Sequence, residues 1–239
     1  MKNLIIIPTY NEANNCSLIY SKIREVNSDI EILFIDDNSP DNTSEEIKNL
    51  SKKDQKVFLF ERISKLGVGS AHKVGFEWSK NKNYQNIITI DADLSHNPEL
   101  ITKMLELTKD FDIIITSRFL LKDTLVEWPV WRQLVTKIRH SIRKNLFKIP
   151  YDTSGAFRCY NLKKINLDDM TLAKNNGYSF FWESLIILFR KGYSIKELPM
   201  KQPTRIHGSS KIRLMDILDA IFYLVIFYFK TLFTKISSK

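Results

Sequence analysis

Five short apolar runs mark the first half of the chain: Leu4 to Ile7, Ile32 to Ile35, Val57 to Phe60, Ile87 to Ile90 and Ile113 to Thr116. They are mostly β-branched and lack polar alternation, the pattern of strands buried on both faces. Between them, stretches near Asn15 to Val26, Thr43 to Ser51, Gly69 to Ser79 and Pro98 to Thr108 have helical character. Alternation of this kind predicts an α/β fold, a doubly wound, mostly parallel sheet flanked by helices. No internal repeat or low-complexity linker interrupts it.

The second half departs from the alternation. From Trp131 to Phe147, Leu134, Ile138, Ile142 and Leu146 recur every fourth position, while Arg132, Lys137, Arg139, Arg143 and Lys144 take other faces. This predicts a basic amphipathic helix within 128–150, opened by Trp128 and Trp131. It is either docked on the core or lying in a membrane interface, with tryptophans at headgroup depth and cations on anionic lipid. A loop at Asp152 to Arg158 enters a strand, Gly177 to Glu183 opens a helix reaching Arg190, and Ile195 to Met200 reads as a further strand. Thr204 to Lys211 is small and basic, as a phosphate-gripping loop would be. The tail from Ile212 to Ile236 is helical. Its uninterrupted apolar part, Ala220 to Phe229, is about half the roughly twenty residues a bilayer span needs, so it suits an interface or a partner helix.

In sheets of this class ligands bind beyond the carboxyl ends of the strands, and the polar residues fall there. Successive runs are followed by Pro8-Thr9-Tyr10-Asn11-Glu12, by Asp36-Asp37-Asn38-Ser39, by Arg62 and Lys65, by Asp91 and Asp93, and by Ser117-Arg118. Each alone could merely cap a helix. Five at one edge predict a nucleotide site. Asp91-Ala92-Asp93 is its centre, because two carboxylates so close are stabilised by a divalent cation, and oxygen ligands suit Mg²⁺ or Mn²⁺. Gly67-Val68-Gly69 fits neither a Walker loop nor a dinucleotide fingerprint and reads as a tight turn into a helix. Lys65 before it is placed to meet a phosphate or ribose.

Composition adds three points. The 239 residues are 44% hydrophobic, enough for a real core. The net charge of +9 is concentrated in 128–151 and 201–239, which leaves the rest nearly neutral and makes those segments contact surfaces for something anionic. Nucleic acid is disfavoured by the acidic sheet edge. Cys16 and Cys159 lack metal-ligand spacing and are expected to be free thiols in a reducing cytosol. The N-terminal apolar run is too short for a signal peptide, so the body is expected on the cytosolic side.

Taken in order, Ile-Pro-Thr-Tyr-Asn-Glu at 7 to 12, Asp-Asp-Asn-Ser-Pro-Asp at 36 to 41, Asp-Ala-Asp-Leu-Ser-His at 91 to 96, Ser-Arg-Phe at 117 to 119, Thr-Ser-Gly-Ala-Phe-Arg at 153 to 158 and Gly-Ser-Ser-Lys at 208 to 211 resemble the inverting family 2 glycosyltransferases. Within these, the chain is similar to the polyprenyl-phosphate (dolichyl-phosphate) mannosyltransferases and their glucosyl relatives. The resemblance implies a GT-A fold over 1–211, followed by a membrane-interface or partner-binding tail at 212–239. By that resemblance Pro8, Tyr10, Glu12 and Asp37 hold base and ribose, and Asp91, Ala92 and Asp93 meet metal and diphosphate. Arg205 and Lys211 close over the donor. Arg118, Arg132 and Thr136 bind the acceptor phosphate, with Asp93, Arg118 and Arg132 carrying the chemistry. Ser95 stands beside the metal where some relatives have Gln, and Thr136 where some have Ser. The paired transmembrane helices of some relatives are missing.

The chemistry agrees. No carboxylate or histidine stands out as a general base for a hydroxyl acceptor, whereas a lipid monophosphate, with a second pKa of about 6, is already ionised. The expected activity is transfer of a hexose, foremost mannose from GDP-mannose, to a polyprenyl phosphate. It would take place at the cytoplasmic face of a membrane by a peripheral protein, with a small membrane protein as a possible partner. The alternatives are a transferase of the same fold acting on a glycan or lipid hydroxyl, for example with UDP-glucose, and a non-catalytic nucleotide-sugar-binding subunit.

Overall fold

The computed structural model describes residues 2–122, 124–125, 128–201 and 214–233, with the side chains of the last stretch described from 220 to 231. All five apolar runs form strands: β1 (Asn3–Thr9), β2 (Glu31–Asp36), β3 (Val57–Glu61), β4 (Asn86–Thr89) and β5 (Ile113–Ser117). The helices between them are α1 (Ala13–Val26), α2 (Thr43–Lys53), α3 (Val68–Ser79) and α4 (Leu100–Leu107). Further on come α5 (Val130–Phe147), β6 (Arg158–Asn161), the four-residue α6 (Leu167–Met170), α7 (Ser179–Arg190), β7 (Ile195–Pro199) and α8 (Leu214–Phe233).

The strand order is β3-β2-β1-β4-β6-β5-β7. Successive side chains of β1 point to opposite faces and serve two cores. Leu4 and Ile6 join Ala71 and Phe76 of α3 and much of α7, whereas Ile5 and Ile7 join Cys16, Ile19 and Ile23 of α1, Ile47 of α2 and Met104 of α4. The chain steps outward from β1 to β3 and then returns to place β4 on the other side of β1. This reversal opens a crevice at the carboxyl edge of β1 and β4, where such sheets bind ligands.

One strand breaks the parallel pattern. β6 runs antiparallel between β4 and β5, with Cys159 opposite both Ile88 and Ile114. Residues 118–157 leave β5 at the carboxyl edge and enter β6 at the same edge, so the strand can only run back. The insertion therefore begins and ends at the edge where the crevice opens. Arg158 anchors its return. Its buried guanidinium donates to the carbonyls of Gly155, Thr153 and Phe181 and to Ser184 Oγ, tying the loop before β6 to α7.

The apolar stripe of α5 faces outward. Trp131 is 68% and Leu134 57% exposed, and Val135, Ile138 and Ile142 follow suit, whereas Arg143 and Phe147 are buried. α8 is arranged alike: Phe227 packs on Trp182 and on Phe147 at the end of α5, while Ile221, Phe222, Val225, Ile226 and Phe229 are exposed. Among the described residues no helix is long and apolar enough to cross a membrane.

Candidate active site

A cavity of about 760 Å³ opens at the carboxyl edge, and the loops after β1 to β4 supply most of its wall. Pro8, Tyr10, Glu12, Asp37, Lys65, Asp91, Ala92 and Asp93 all line it, as expected from the sequence. The two aspartates after β2 do different work. Asp36, fully buried, accepts hydrogen bonds from Thr9 Oγ1 (2.9 Å), the Ser39 amide (2.8 Å) and hydroxyl (2.6 Å) and Ser44 Oγ (3.0 Å), and so fixes the loops after β1 and β2 to each other. Asp37 pairs with Arg62 at 2.6 Å and accepts the amides of Leu66 and Gly67, which holds the loop after β3 against the cavity. On that loop Lys65 lies over the Tyr10 ring, 3.9 Å from its centroid, a cation–π contact at the cavity wall.

Asp91 and Asp93 stand at the cavity floor beyond β4. Asp93 is nearly fully buried and its Oδ1 accepts the Ser95 amide at 3.1 Å, across a turn in which Leu94 takes φ 57°. Asp91 is more open, with Oδ2 3.8 Å from His96 Nδ1. Ser95 is buried and off the cavity wall. Among the described residues no cluster of three or more His, Cys, Asp or Glu side chains is arranged to hold a metal ion. Asp91 and Asp93 offer two carboxylates at the cavity wall. That donor set fits a hard divalent cation such as Mg²⁺ or Mn²⁺, which binds through one or two carboxylates and takes its other oxygens from substrate phosphates and water.

Sequence reading missed one wall of the cavity. Asn175, Asn176, Gly177, Tyr178 and Ser179, before and at the start of α7, line it, and so does Ala220 of α8. Glu183 holds this loop. Its buried carboxylate accepts the amides of Lys174 (2.8 Å) and Asn175 (2.9 Å) and the Tyr223 hydroxyl of α8 (2.9 Å). The available signal was Gly67-Val68-Gly69, read as a turn. A Cβ on Gly69 would lie 2.4 Å from Phe180 Cβ, and one on Gly67, at φ 95°, would lie 2.5 Å from the Asn176 carbonyl oxygen. These glycines let α3 and the 175–180 segment meet.

Arg118, Arg132 and Thr136 lie off this cavity's wall. The two arginines meet at Trp128, whose ring centroid is 3.8 Å from the Arg132 guanidinium carbon and 5.9 Å from that of Arg118. Arg118 is held by Asp152, whose Oδ2 accepts from its Nε at 3.3 Å, and by Ser154. Burial pushes the Asp152 carboxyl up, but Arg118 and Ser154 outweigh it and bring it to about 2, so it is an anion. Thr136 lies one turn after Arg132, half-buried. Arg205 and Lys211, with the rest of the 204–211 loop, fall outside the described residues.

Comparison with known proteins bears on the family and the fold. Residues 4–166 match the model of glycosyl transferase family 2. A polyprenol monophosphomannose synthase of Mycolicibacterium smegmatis is 32% identical over 225 residues, 92% of this chain and 84% of that protein. An undecaprenyl-phosphate mannosyltransferase of Micrococcus luteus is 29% identical over 89% of this chain and 88% of its own. Among solved structures, glucosyl-3-phosphoglycerate synthase of Mycobacterium tuberculosis with Mn²⁺, UDP and glucosyl-3-phosphoglycerate superposes with a TM-score of 0.62, at 15% identity, over 96% of this chain and 79% of that one. A mannosyltransferase of Pyrobaculum calidifontis with GDP-Man and Mn²⁺ gives 0.56 at 15% identity, over 86% and 58%. At that identity the structures speak for the fold, whereas the family match covers well over half the chain and the first relative nearly all of it. The chain belongs to glycosyl transferase family 2 and is a glycosyltransferase similar to the polyprenyl-phosphate mannosyltransferases.

Proposed function

We propose that this protein transfers mannose, with inversion, from GDP-mannose to a polyprenyl phosphate at a membrane surface, and that it requires Mg²⁺ or Mn²⁺. The observation that carries the reading is the Arg118–Trp128–Arg132 group at the head of a helix whose apolar stripe is outward. Two guanidinium forks suit a phosphate, and an exposed apolar stripe beside them suits the lipid that carries it. The nucleotide sugar is assigned to the cavity of Asp37, Lys65, Asp91 and Asp93, and the names of the two mannosyl-lipid relatives favour mannose as its sugar.

The acceptor phosphate is ionised near pH 7, so no base has to remove a proton. One of its oxygens bonds to C1 of the sugar as the bond from C1 to the donor diphosphate breaks, and GDP leaves with the electron pair. Arg118 and Arg132 align the incoming oxygen, the contribution that converts encounter into reaction. Asp91 and Asp93 would hold a divalent cation, which would supply charge stabilisation for the leaving diphosphate. The two buried histidines among the described residues, His72 and His96, are not on the cavity wall. Burial and Arg158 push His72 down to about 3, so it is neutral at pH 7.

The test is incubation of purified protein with GDP-mannose, UDP-glucose or UDP-N-acetylglucosamine, and with farnesyl phosphate or farnesol, in Mn²⁺ or excess chelator. Mannosyl transfer to the phosphate alone is expected. Transfer to farnesol, or exclusive use of a UDP-sugar, would overturn the assignment.

Two predictions arise here. A polyprenyl chain costs about 0.8 kcal/mol per methylene to expose to water, so the enzyme has to reach the bilayer. Joint replacement of Trp131 and Phe222 by Ser should cut binding to anionic vesicles by about tenfold while leaving farnesyl phosphate turnover intact, and high salt should release the wild type. Vesicle binding unchanged by the substitutions would remove these faces from the membrane contact. Separately, Tyr223→Phe takes one of three hydrogen bonds from buried Glu183. It should lower stability by about 1.5 kcal/mol and weaken GDP-mannose several-fold, because the 174–177 loop loses a support. A thermal melt and a nucleotide titration read the two effects, and undiminished nucleotide affinity would uncouple α8 from the donor cavity.

A further inference from the structure

α5 turns Arg143 toward the body of the protein, where the carboxylate that faces it, Asp152, is already the partner of Arg118. Arg143 is 5% exposed, and its Nε has no hydrogen-bond partner among the described residues. One turn earlier, His140 stacks on Phe119 with ring centroids 3.9 Å apart at 19°, which sets this part of α5 against the residue that follows Arg118. The charged groups facing Arg143 are Arg139, Asp152 and Arg118.

Asp152 is the one carboxylate in that set, and it is already engaged. Oδ2 accepts the Arg118 amide and Nε, and Oδ1 accepts the Ser154 amide and hydroxyl. On its other side Glu197 accepts the Asp152 amide at 2.6 Å and has Ser117 and Lys144 as its own partners. Burial, then Arg139 and Arg118, push the Arg143 guanidinium down to about 10 against the pull of Asp152, and Arg139 and His140 are lowered as well. A buried guanidinium among like charges, with an unsatisfied donor, is costly unless an anion joins it.

We infer that Arg143 is a further phosphate-binding arginine of the acceptor site, acting beside Arg118 on a phosphate monoester dianion. The inference rests on the acceptor reading above and deepens it. Arg118 gives Nε to Asp152 and Nη2 to Ser154, so part of its fork is committed to the protein. A dianion with three terminal oxygens has room for another fork, and Arg143 offers a desolvated one, where charge-assisted hydrogen bonds are strongest. The site would thereby favour a monophosphate over an alcohol or a singly charged group.

The experiment titrates farnesyl phosphate, farnesol and GDP into wild type, Arg143→Met, Arg143→Lys and Arg132→Gln, with a thermal melt of each protein free of ligand. Arg143→Met is expected to weaken farnesyl phosphate by about tenfold, leave GDP affinity unchanged, and leave the melting temperature equal or higher because an uncompensated buried charge is gone. Arg143→Lys should recover part of the affinity. Wild-type farnesyl phosphate affinity in Arg143→Met, with a lowered melting temperature, would make Arg143 a structural partner of Asp152 and overturn the inference. Failure of the wild type itself to bind farnesyl phosphate would overturn the acceptor reading, and this inference with it. Loss in Arg132→Gln without loss in Arg143→Met would remove Arg143 alone.

Discussion

Asp93→Ala is expected to lower kcat/KM for mannosyl transfer by about a thousandfold, the scale on which removing one preorganised charge-stabilising group acts. Asp93 is nearly fully buried at the cavity floor, two residues from Asp91 on a turn held by the Ser95 amide. Two carboxylates so placed beside a diphosphate repel it and each other unless a cation lies between them, so most of the loss should come from the missing charge. Asp93→Asn separates charge from shape. An amide oxygen can still accept the Ser95 N–H, so a purely structural Asp93 predicts near-normal activity for Asn, whereas a cation ligand predicts a loss close to that of Ala. Initial rates in Mn²⁺, with a melt to verify folding, decide between them. Full wild-type activity in excess chelator would end the metal assignment.

Arg132→Lys should raise the KM for farnesyl phosphate by about tenfold or more and leave that for GDP-mannose unchanged. Lysine keeps the charge but loses the planar fork that stacks on Trp128 and bonds phosphate in two places. Arg132 is exposed and Lys keeps its charge, so the fold should tolerate the change. Arg118→Lys should show the same acceptor defect together with a lower melting temperature, because Asp152 is buried and Arg118 is its ion-pair partner. Equal loss of donor and acceptor affinity in Arg132→Lys would move this residue out of the acceptor site.

The cavity at the carboxyl edge of the sheet was legible in the sequence. Four-residue apolar runs such as Leu4 to Ile7 can be satisfied only by burial on both faces, and the carboxyl-edge rule then places Tyr10, Asp37, Lys65 and Asp93 together without knowledge of any long-range contact. Local periodicity likewise revealed α5. It could not say which way α5 turns, because an apolar stripe looks the same whether it meets a core or a membrane. What decides is the surroundings: the carboxylate of Asp152 and the ring of Phe119 meet Arg143 and His140 on the inward side of α5, which leaves Leu134 and Ile138 outside with most of its other cations. The antiparallel entry of β6, the 175–179 wall held by Glu183, and the burial of Arg143 beside Asp152 depend in the same way on residues far apart in the chain. Pattern along a chain reports which side chains must leave water; only the packed tertiary structure selects the partners they meet when they do.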